Sequence, residues 1–278
     1  MKTFIKIIKV FFTLLFFSFS IIMLYYTALA PKIDRFKLAE EFQGSYLSQT
    51  MFDILKMQHP DYSDAYFEQS VAFNKRGDYA KGFELLDKAV DHNPKIHLGY
   101  SGWMKLRKLR DYDGALSDFD RLDSLTPNSI DAPWGEDIDF LRGECYFGKK
   151  NYHEAIGFLN QSIINQKEDW ADVHAFVYLG LCEYELGNYE KSISEFQRAL
   201  NQSDHVPEAH FGIAKAYQNI GETEKAKEHI LKAEENIGSK REDSYDEFLN
   251  EIYLNEILDF KQSLEEKPSI KKTTDHQL

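Results

Sequence analysis

The sequence predicts an all-α protein: a solenoid of antiparallel helix pairs, closed by a C-terminal capping helix. Three observations predict it. A unit of about 34 residues recurs, each copy has a tight turn between two helical segments, and small and large apolar residues follow every turn at one spacing. Stacked repeats bury a continuous core, which a chain of 278 residues with 43% apolar side chains can supply.

The N-terminal segment, residues 1–30, is predicted to be a transmembrane anchor or a signal peptide. Lys2, Lys6 and Lys9 precede an uncharged run of 21 residues from Val10 to Ala30. As a helix rising about 1.5 Å per residue, this run spans about 30 Å, which is the thickness of a bilayer's hydrocarbon core.

Two fates of this segment are compatible with its sequence. Ala28-Leu29-Ala30 has the small-x-small pattern of a cleavage site, and cutting near Ala30 would release a secreted chain. Pro31 follows, and its missing N–H and fixed φ fit poorly in a protease that binds extended backbone. We therefore expect a single-pass anchor in the membrane through residues 10–30, with the rest of the chain on the outer, periplasmic or extracellular side. Secretion is the alternative.

Residues 31–62 are predicted to form a connecting helix that leads from the membrane into the repeats. Glu40 through Met57 reads as this helix. It ends near His59-Pro60, because proline disfavours helix in the residue before it. The predicted repeat region follows over residues 63–238.

The turn inside each unit is the clearest local signal. Glycine or asparagine tolerates left-handed backbone at the end of the first helix, and Asp or Asn can cap the second. The five turns are Arg76-Gly77-Asp78-Tyr79, Arg110-Asp111-Tyr112, Lys150-Asn151-Tyr152, Leu186-Gly187-Asn188-Tyr189 and Ile220-Gly221-Glu222-Thr223. Small residues follow at one spacing as Gly82, Ala115, Ala155, Ser192 and Ala226. Large apolar residues come four further on as Leu86, Phe119, Leu159, Phe196 and Ile230.

These units resemble tetratricopeptide repeats (TPRs), whose pattern has an aromatic residue, Leu-Gly, a tyrosine, a small residue, an aromatic or aliphatic residue, alanine and a terminal proline. About five units are predicted, starting near Ser63, Ile96, Glu136, Val173 and Pro207. The second and third depart from the pattern. Gly99 and Gly102 stand in place of large apolar residues, and residues 128–135 form an insertion.

The C-terminal part is predicted to be a capping helix over residues 239–266, followed by a disordered tail at 267–278. Asp243 or Ser244 would cap the helix, which carries Tyr245, Phe248, Leu249, Ile252, Ile257 and Phe260. Its role would be to cover the exposed end of the solenoid. The tail is polar and has no apolar period.

The resemblance implies that the solenoid is a right-handed superhelical solenoid and that the first helix of each pair lines a concave groove that binds ligands. Counted back from the turns, the inward positions are Phe67, Val71, Asn74, Tyr100, Met104, Arg107, Phe140, Glu144, Phe147, Val177, Leu181, Tyr184, Phe211, Lys215 and Gln218. The predicted partner-binding residues are the aromatic members Phe67, Tyr100, Phe140, Phe147, Tyr184 and Phe211. Such a surface suits an amphipathic helix or an extended peptide with apolar anchors. Alternatively, individual members are interhelix packing or contacts to the capping helix.

Other functional classes find little support. The formal charge of -13 disfavours nucleic acid, and no phosphate loop, serine-hydrolase elbow or zinc-protease pattern is present. Cys145 and Cys182 read as buried thiols, and His97 and His174 are candidates to face the groove. A minor alternative is hydrolytic chemistry at the acidic residues Asp131, Glu136 and Asp137. The sequence therefore predicts no catalytic, cofactor or metal site.

The predicted function is a membrane-tethered scaffold or adaptor that binds a protein or peptide in an apolar concave groove. No small-molecule substrate and no nucleic acid is expected. The alternative is a secreted, peptide-binding repeat protein released by cleavage near Ala30.

Overall fold

The structure is a computed structural model that describes residues 2–244 and 246–266. It is helical, and no strand occurs in these two ranges, which confirms the predicted all-α fold class. Tyr245 and the predicted disordered tail at 267–278 lie outside the described residues.

The described residues form fourteen α-helices. They are α1 Lys2–Leu24, α2 Lys32–Glu41, α3 Tyr46–Gln58, α4 Ser63–Asn74, α5 Tyr79–His92, α6 Pro94–Met104, α7 Tyr112–Leu125, α8 Ile138–Gly148, α9 Tyr152–Gln166, α10 Val173–Glu185, α11 Tyr189–Gln202, α12 Pro207–Asn219, α13 Thr223–Glu235 and α14 Leu254–Glu265. Two π-helical turns, Tyr25–Leu29 and Lys105–Leu109, extend α1 and α6. Short 3-10 turns lie at Pro133–Gly135, Glu168–Trp170 and Ile237–Ser239.

The chain divides into two compact units, Met1–Ser101 and Gly102–Leu278. The boundary lies inside α6, so the predicted repeat region at 63–238 contributes helices to both units. The five predicted pairs are α4/α5, α6/α7, α8/α9, α10/α11 and α12/α13. Their first helices begin at Ser63, Pro94, Ile138, Val173 and Pro207, close to the predicted starts.

In the first unit, the stretch Phe4–Leu29 forms one apolar helical run of 26 residues that is exposed along its length. It is long and apolar enough to cross a membrane, and a signal sequence has the same length and composition. The backbone leaves the helix at Ala30, which is extended with φ −62° and ψ 155°.

The predicted single connecting helix is wrong, because residues 31–62 contain two helices, α2 and α3. Gly44 has a φ of +84° and turns the chain between them. The Ser45 side chain then accepts a hydrogen bond from the Ser48 N–H and caps α3. Met51 and Phe52 of α3 pack with Ala65 of α4, so this extra pair shares a core with the first predicted repeat.

A residue with left-handed backbone ends the first helix of all five predicted pairs. Three are glycines, with φ of 79° to 83°, at Gly77, Gly187 and Gly221. In the second and third pairs the residue is Arg110 (φ 54°) or Lys150 (φ 61°). Asn151, predicted to tolerate this conformation, instead has a φ of −89°. Because residues with a side chain are strained in left-handed backbone, the turns at Arg110 and Lys150 store some backbone strain.

The helix pairs close tightly in the way the spacing predicts. The small residues after the turns and the large residues four positions on are all buried. A Cβ at Gly102, Gly143 or Gly180 would come within 2.6 to 2.7 Å of the large residue of the following helix. Gly102 therefore has the same packing role as Gly180, and its interpretation as a departure from the pattern is wrong.

The predicted capping helix at 239–266 is much shorter than expected. α14 begins only at Leu254, where the Tyr253 N–H donates to the Glu256 side chain. Ile257 and Leu264 of α14 pack on α13. Residues 240–253, here named the groove loop, are not helical in their described part. Polar groups of this loop contact the π-helical turn after α6 and the helices α10 and α12, in place of the backbone hydrogen bonds that a helix would supply.

Candidate functional site

In the first unit, the predicted groove residues Phe67 and Tyr100 pack against each other. Their ring centroids lie 5.0 Å apart in a T-shaped arrangement. His97 stacks on Phe67 at 5.0 Å and lies 3.5 Å from the Asp64 carboxylate. His97 and Tyr100 are buried, so these side chains pack α6 against α4. Asn74, another predicted inward residue, is buried against Gly82 of α5.

In the second unit, Phe140 and Phe147 of α8 meet on one residue of α10. Their ring centroids lie 6.0 and 5.1 Å from that of Tyr178. Phe140 is only 1% exposed and belongs to the main core of the unit. Phe140 is therefore a packing residue, and the interpretation of its side chain as an open anchor is not supported by its burial.

Tyr184 and Phe211 share a lysine. The Lys215 ammonium lies 4.9 Å from the Tyr184 ring centre and 5.6 Å from that of Phe211. Phe211 also packs edge-on against Phe260 of α14 at 5.7 Å. Phe211 thus contacts the capping helix, which was the alternative interpretation for members of this set.

The centre of the site is charged. The π-helical turn after α6 carries Arg107, whose guanidinium lies 2.7 Å from Glu136 and 2.6 Å from Glu144. The side chains of Arg107 and Glu144 are completely buried. The Trp103 indole N–H donates to the other Glu136 oxygen at 2.8 Å. Wide helical turns of this kind occur often at functional sites, because they redirect side chains.

A second arginine enters this cluster from the groove loop. Arg241 lies 3.0 Å from Glu136 and 3.4 Å from Glu144. Its guanidinium is 3.7 Å from the ring centre of Phe248 and 5.4 Å from that of Phe140. Arg241 therefore sits between two aromatic faces and two carboxylates.

The rest of the groove loop is held by polar groups of three helices or their ends. Arg107 lies 4.9 Å from the Phe248 ring centre, and Lys108 pairs with Asp246. Arg110 donates to the Glu247 carbonyl at 2.7 Å. His174 Nδ1 of α10 lies 3.0 Å from the amide nitrogen of Asn250. The backbone N–H of Arg241 donates to the Glu208 carboxylate of α12 at 2.6 Å.

The electrostatics of the cluster follow from burial and opposite charge. Burial opposes ionisation of Glu144, but Arg107 and Arg241 outweigh it and lower its pKa. Burial raises the pKa of the Glu136 carboxyl, against the pull of the arginines. Burial and then the Arg241 charge lower the pKa of His174 to about 4. His174 is therefore neutral at pH 7 and can accept the Asn250 amide hydrogen bond at Nδ1.

The acidic residues of the minor hydrolytic alternative have structural partners. Asp137 caps α8 by accepting from the Asp139 and Phe140 N–H groups. Asp131 accepts a hydrogen bond from the Thr126 hydroxyl. Glu136 belongs to the arginine cluster. The described residues hold no group of three or more His, Cys, Asp or Glu side chains arranged to bind a metal.

Cys145 and Cys182 are free and buried, as predicted. Burial raises the pKa of the Cys145 thiol, and it raises that of Cys182 to about 12. Both thiols therefore stay protonated, and they act as small core residues.

Sequence reasoning predicted that Arg107 and Glu144 point inward and that His174 is a candidate to face the groove. It missed Arg241, Phe248 and Asn250, because residues 239–266 were interpreted as a single helix. Their contacts join residues far apart in the chain, which a local pattern does not reveal. One signal was available in the sequence. Lys240-Arg241 is a basic pair followed by acidic residues, and Arg107-Lys108 is a second basic pair, which faces glutamates.

Comparisons with known proteins agree with this architecture. Residues 180–221 match a family described as "TPR repeat", and residues 207–236 match one described as "Tetratricopeptide repeat". No curated protein matches the sequence.

Several solved structures are similar in fold. PilW, described as a widely conserved type IV pilus biogenesis factor, has a TM-score of 0.60 at 14% identity, covering 82% of this chain and 98% of PilW. MamA (41-end) from Desulfovibrio magneticus RS-1 has 0.55 at 22%, covering 64% and 96%. YrrB, described as a TPR protein with an unusual peptide-binding site, has 0.52 at 16%, covering 66% and 91%. The chain therefore contains tetratricopeptide repeats and has the fold of TPR-solenoid proteins.

Proposed function

We propose that this protein is a membrane-tethered scaffold whose repeats bind a protein partner through an extended segment. The repeats at 63–238 would present the binding surface, α14 would close the last pair, and residues 10–30 would lie in the membrane. Tetratricopeptide repeats are in general protein-interaction modules, which supports a protein or peptide as the ligand.

The observation that carries the proposal is how the second unit holds the groove loop. The end of α6 and the helices α8, α10 and α12 all direct polar or charged side chains at one non-helical segment. Arg110 and Glu208 bind its backbone, whereas Glu144 and His174 bind its side chains. A surface of this kind can hold an extended peptide, because its donors and acceptors satisfy peptide groups that no helix or sheet satisfies.

The charge of the molecule supports a protein partner over nucleic acid. The chain carries 46 acidic and 33 basic side chains, and the basic residues at the groove are engaged with carboxylates or the groove loop. The proposal contains no catalytic step, since the acidic residues considered for hydrolysis have the capping and pairing roles described above.

The anchor is the second part of the proposal. No residue of the stretch Phe4–Leu29 is buried, and transferring its apolar side chains into lipid would be strongly favourable. With the short N-terminal tail in the cytoplasm, the repeats would lie on the outer side. Tethering raises the local concentration of the scaffold at the membrane.

A cross-linking pulldown from membrane and soluble fractions tests this function. The chain carries a C-terminal tag, and the N-terminus of the recovered protein is sequenced. Recovery in membranes with residues 2–9 intact and with the same envelope proteins in repeated experiments is expected. A membrane form that brings no protein would contradict the scaffold.

The secreted form is the second candidate, and one feature favours it. The small-x-small stretch at 28–30 has the pattern of a signal-peptide cleavage site, and its last residue, Ala30, is extended. A soluble chain that starts at Pro31 would establish this form and remove the anchor from the proposal.

A further inference from the structure

The groove loop is an unusual connection for a repeat of this type. Other helices of the second unit, such as α8 and α9 or α12 and α13, are joined by about three residues. The loop from 240 to 253 is far longer and is not helical in its described part. Loops longer than about 12 to 15 residues without secondary structure are uncommon in compact domains and are usually functional.

Two of its contacts hold backbone and not side chains. Glu208 accepts from the Arg241 N–H at 2.6 Å, and Arg110 donates to the Glu247 carbonyl at 2.7 Å. Groove side chains that bind main-chain groups hold any extended segment that follows the same path. These two contacts would therefore be equally available to another chain.

Two other contacts select side chains. Arg241 fits between Phe140, Phe248, Glu136 and Glu144, as described above. Phe248 in turn lies between the guanidinium groups of Arg241 and Arg107, at 3.7 and 4.9 Å. An arginine and an aromatic ring brought by the same segment thus complete an alternating stack of charge and aromatic faces.

The charge of the empty groove favours such a segment. Without Arg241, the carboxylates of Glu136 and Glu144 would share the single guanidinium of Arg107, and Glu144 is fully buried. Two carboxylates on one buried guanidinium leave uncompensated negative charge, which is unfavourable, so a segment that leaves has to be replaced by another that brings a cation.

The loop is also less firmly bound than the core. Phe248 and Leu249 are half-buried, and Glu242, Asp243, Ser244 and Glu247 are exposed, whereas Asn250 and Ile252 at the end of the loop are buried. Segments with few buried apolar side chains open locally at a lower free energy than the whole unit unfolds. Residues 240–249 can therefore leave the groove while Ile252 stays packed with α13 and α14.

We propose that the groove loop is a tethered occupant of the partner site. A partner displaces it with an extended segment that carries an arginine, then an acidic residue that pairs with Lys108 as Asp246 does, then an aromatic side chain. This inference rests on the partner-binding function proposed above, because it states what the partner carries and what fills the site before it arrives.

The test uses the full-length protein in detergent micelles and a labelled peptide with the sequence of residues 239–253. In the wild type, the tethered loop competes at an effective concentration in the millimolar range, so only the small open fraction binds peptide. A release variant, Arg241→Ala with Phe248→Ala, is expected to bind the peptide at least about tenfold more tightly by fluorescence anisotropy. Equal affinity of the two proteins would overturn the proposal.

Matched controls separate occupancy from general damage. Ser244→Ala with Glu247→Ala changes exposed side chains of the same loop and should bind like the wild type. A peptide with alanine at the position of Arg241 should bind the release variant at least about tenfold more weakly. Undiminished binding of that peptide would overturn the arginine assignment.

Hydrogen–deuterium exchange on the wild type serves if the release variant does not fold. Excess peptide is expected to speed hydrogen exchange in residues 240–253. It is expected to slow exchange at the N-terminal ends of α10 and α12, where His174 and Glu208 lie. Unchanged exchange in the loop at peptide concentrations that saturate the groove would overturn displacement. If the peptide displaces the loop but the pulldown recovers no partner, only the scaffold is contradicted. If the pulldown recovers partners but the peptide does not displace the loop, only the tethered loop is contradicted.

Discussion

Arg241 donates to Glu136 at 3.0 Å, although 105 residues separate them in the chain. Glu136 follows the insertion between α7 and α8, and Arg241 begins the loop between α13 and α14. The two irregular connections therefore meet at one ion cluster beside Arg107. This contact joins the loop to the repeats.

Arg241→Ala should lower the free energy of unfolding by about 2 to 3 kcal/mol, because it leaves two carboxylates on one buried guanidinium. Urea denaturation followed by circular dichroism measures the change. Arg121→Ala is the control, since Arg121 is exposed, and it should change stability by less than about 0.5 kcal/mol. Equal effects of the two substitutions would contradict the buried cluster.

Phe140→Ala should destabilise the second unit by about 3 kcal/mol or more, since the ring is 1% exposed and its loss leaves a cavity in the core. The thermal midpoint of the full chain reports it. Trp170→Ala removes an aromatic ring that is 81% exposed and should have little effect. A Phe140→Ala protein as stable as the wild type would show that the ring lies on an open surface.

Gly180→Ala should cost about 1 to 3 kcal/mol, because its Cβ would lie 2.6 Å from the Phe196 ring. The ring cannot retreat, since Gly212 packs against its other side. Gly157→Ala, at an exposed position of α9, meets no atom within 4 Å and should stabilise by about 0.5 to 1 kcal/mol. Denaturation midpoints that move in the same direction would contradict the close approach of α10 and α11.

Lys150→Gly should raise the free energy of unfolding by about 0.5 to 1 kcal/mol, because it relieves a left-handed residue with a side chain. The neighbouring substitution Lys149→Gly should lower it by a similar amount, since Lys149 has a right-handed φ of −78°. Urea denaturation of both variants gives the sign of each change. A destabilised Lys150→Gly protein would contradict the turn geometry.

Acid should destabilise the last repeat through His210 and His229, whose Nδ1 atoms lie 3.1 Å apart. Burial and then the charge of His210 lower the pKa of His229 to about 4, and burial lowers that of His210. An unfolded histidine has a pKa near 6.5. The unfolded chain therefore binds more protons between about pH 6.5 and 4, and stability falls as the pH falls through this window.

His229→Gln should flatten this pH dependence of the urea midpoint between pH 7.5 and 5. His205→Gln, at an exposed position, should leave it unchanged. The contribution of His174 remains in both variants, so the slope falls without vanishing. An unchanged slope in His229→Gln would show that the pair does not titrate as a unit.

Much of the repeat architecture was predictable, because its signals are local and recur. Each repeat has a small residue after its turn, such as Gly82 or Ala226, and a large residue four positions on, such as Leu86 or Ile230. These residues lie where two helices must approach, and each repeat contains the same geometry. The left-handed turns at Arg110 and Lys150 were less predictable, since neither residue prefers that conformation. The split of residues 31–62 depended on one glycine, Gly44, inside an otherwise helical pattern.

The sequence by itself determined the helix pairs, the turns between them and the apolar N-terminal segment, because helix periodicity and turn chemistry act over a few residues. Only the tertiary structure decided which residues the loop at 240–253 contacts. Arg241 reaches Glu136 and Glu144 through contacts that span about a hundred residues, and a loop without periodicity carries no pattern that points to its partners. Burial of Phe140 and the pairing of Arg107 followed from that packing.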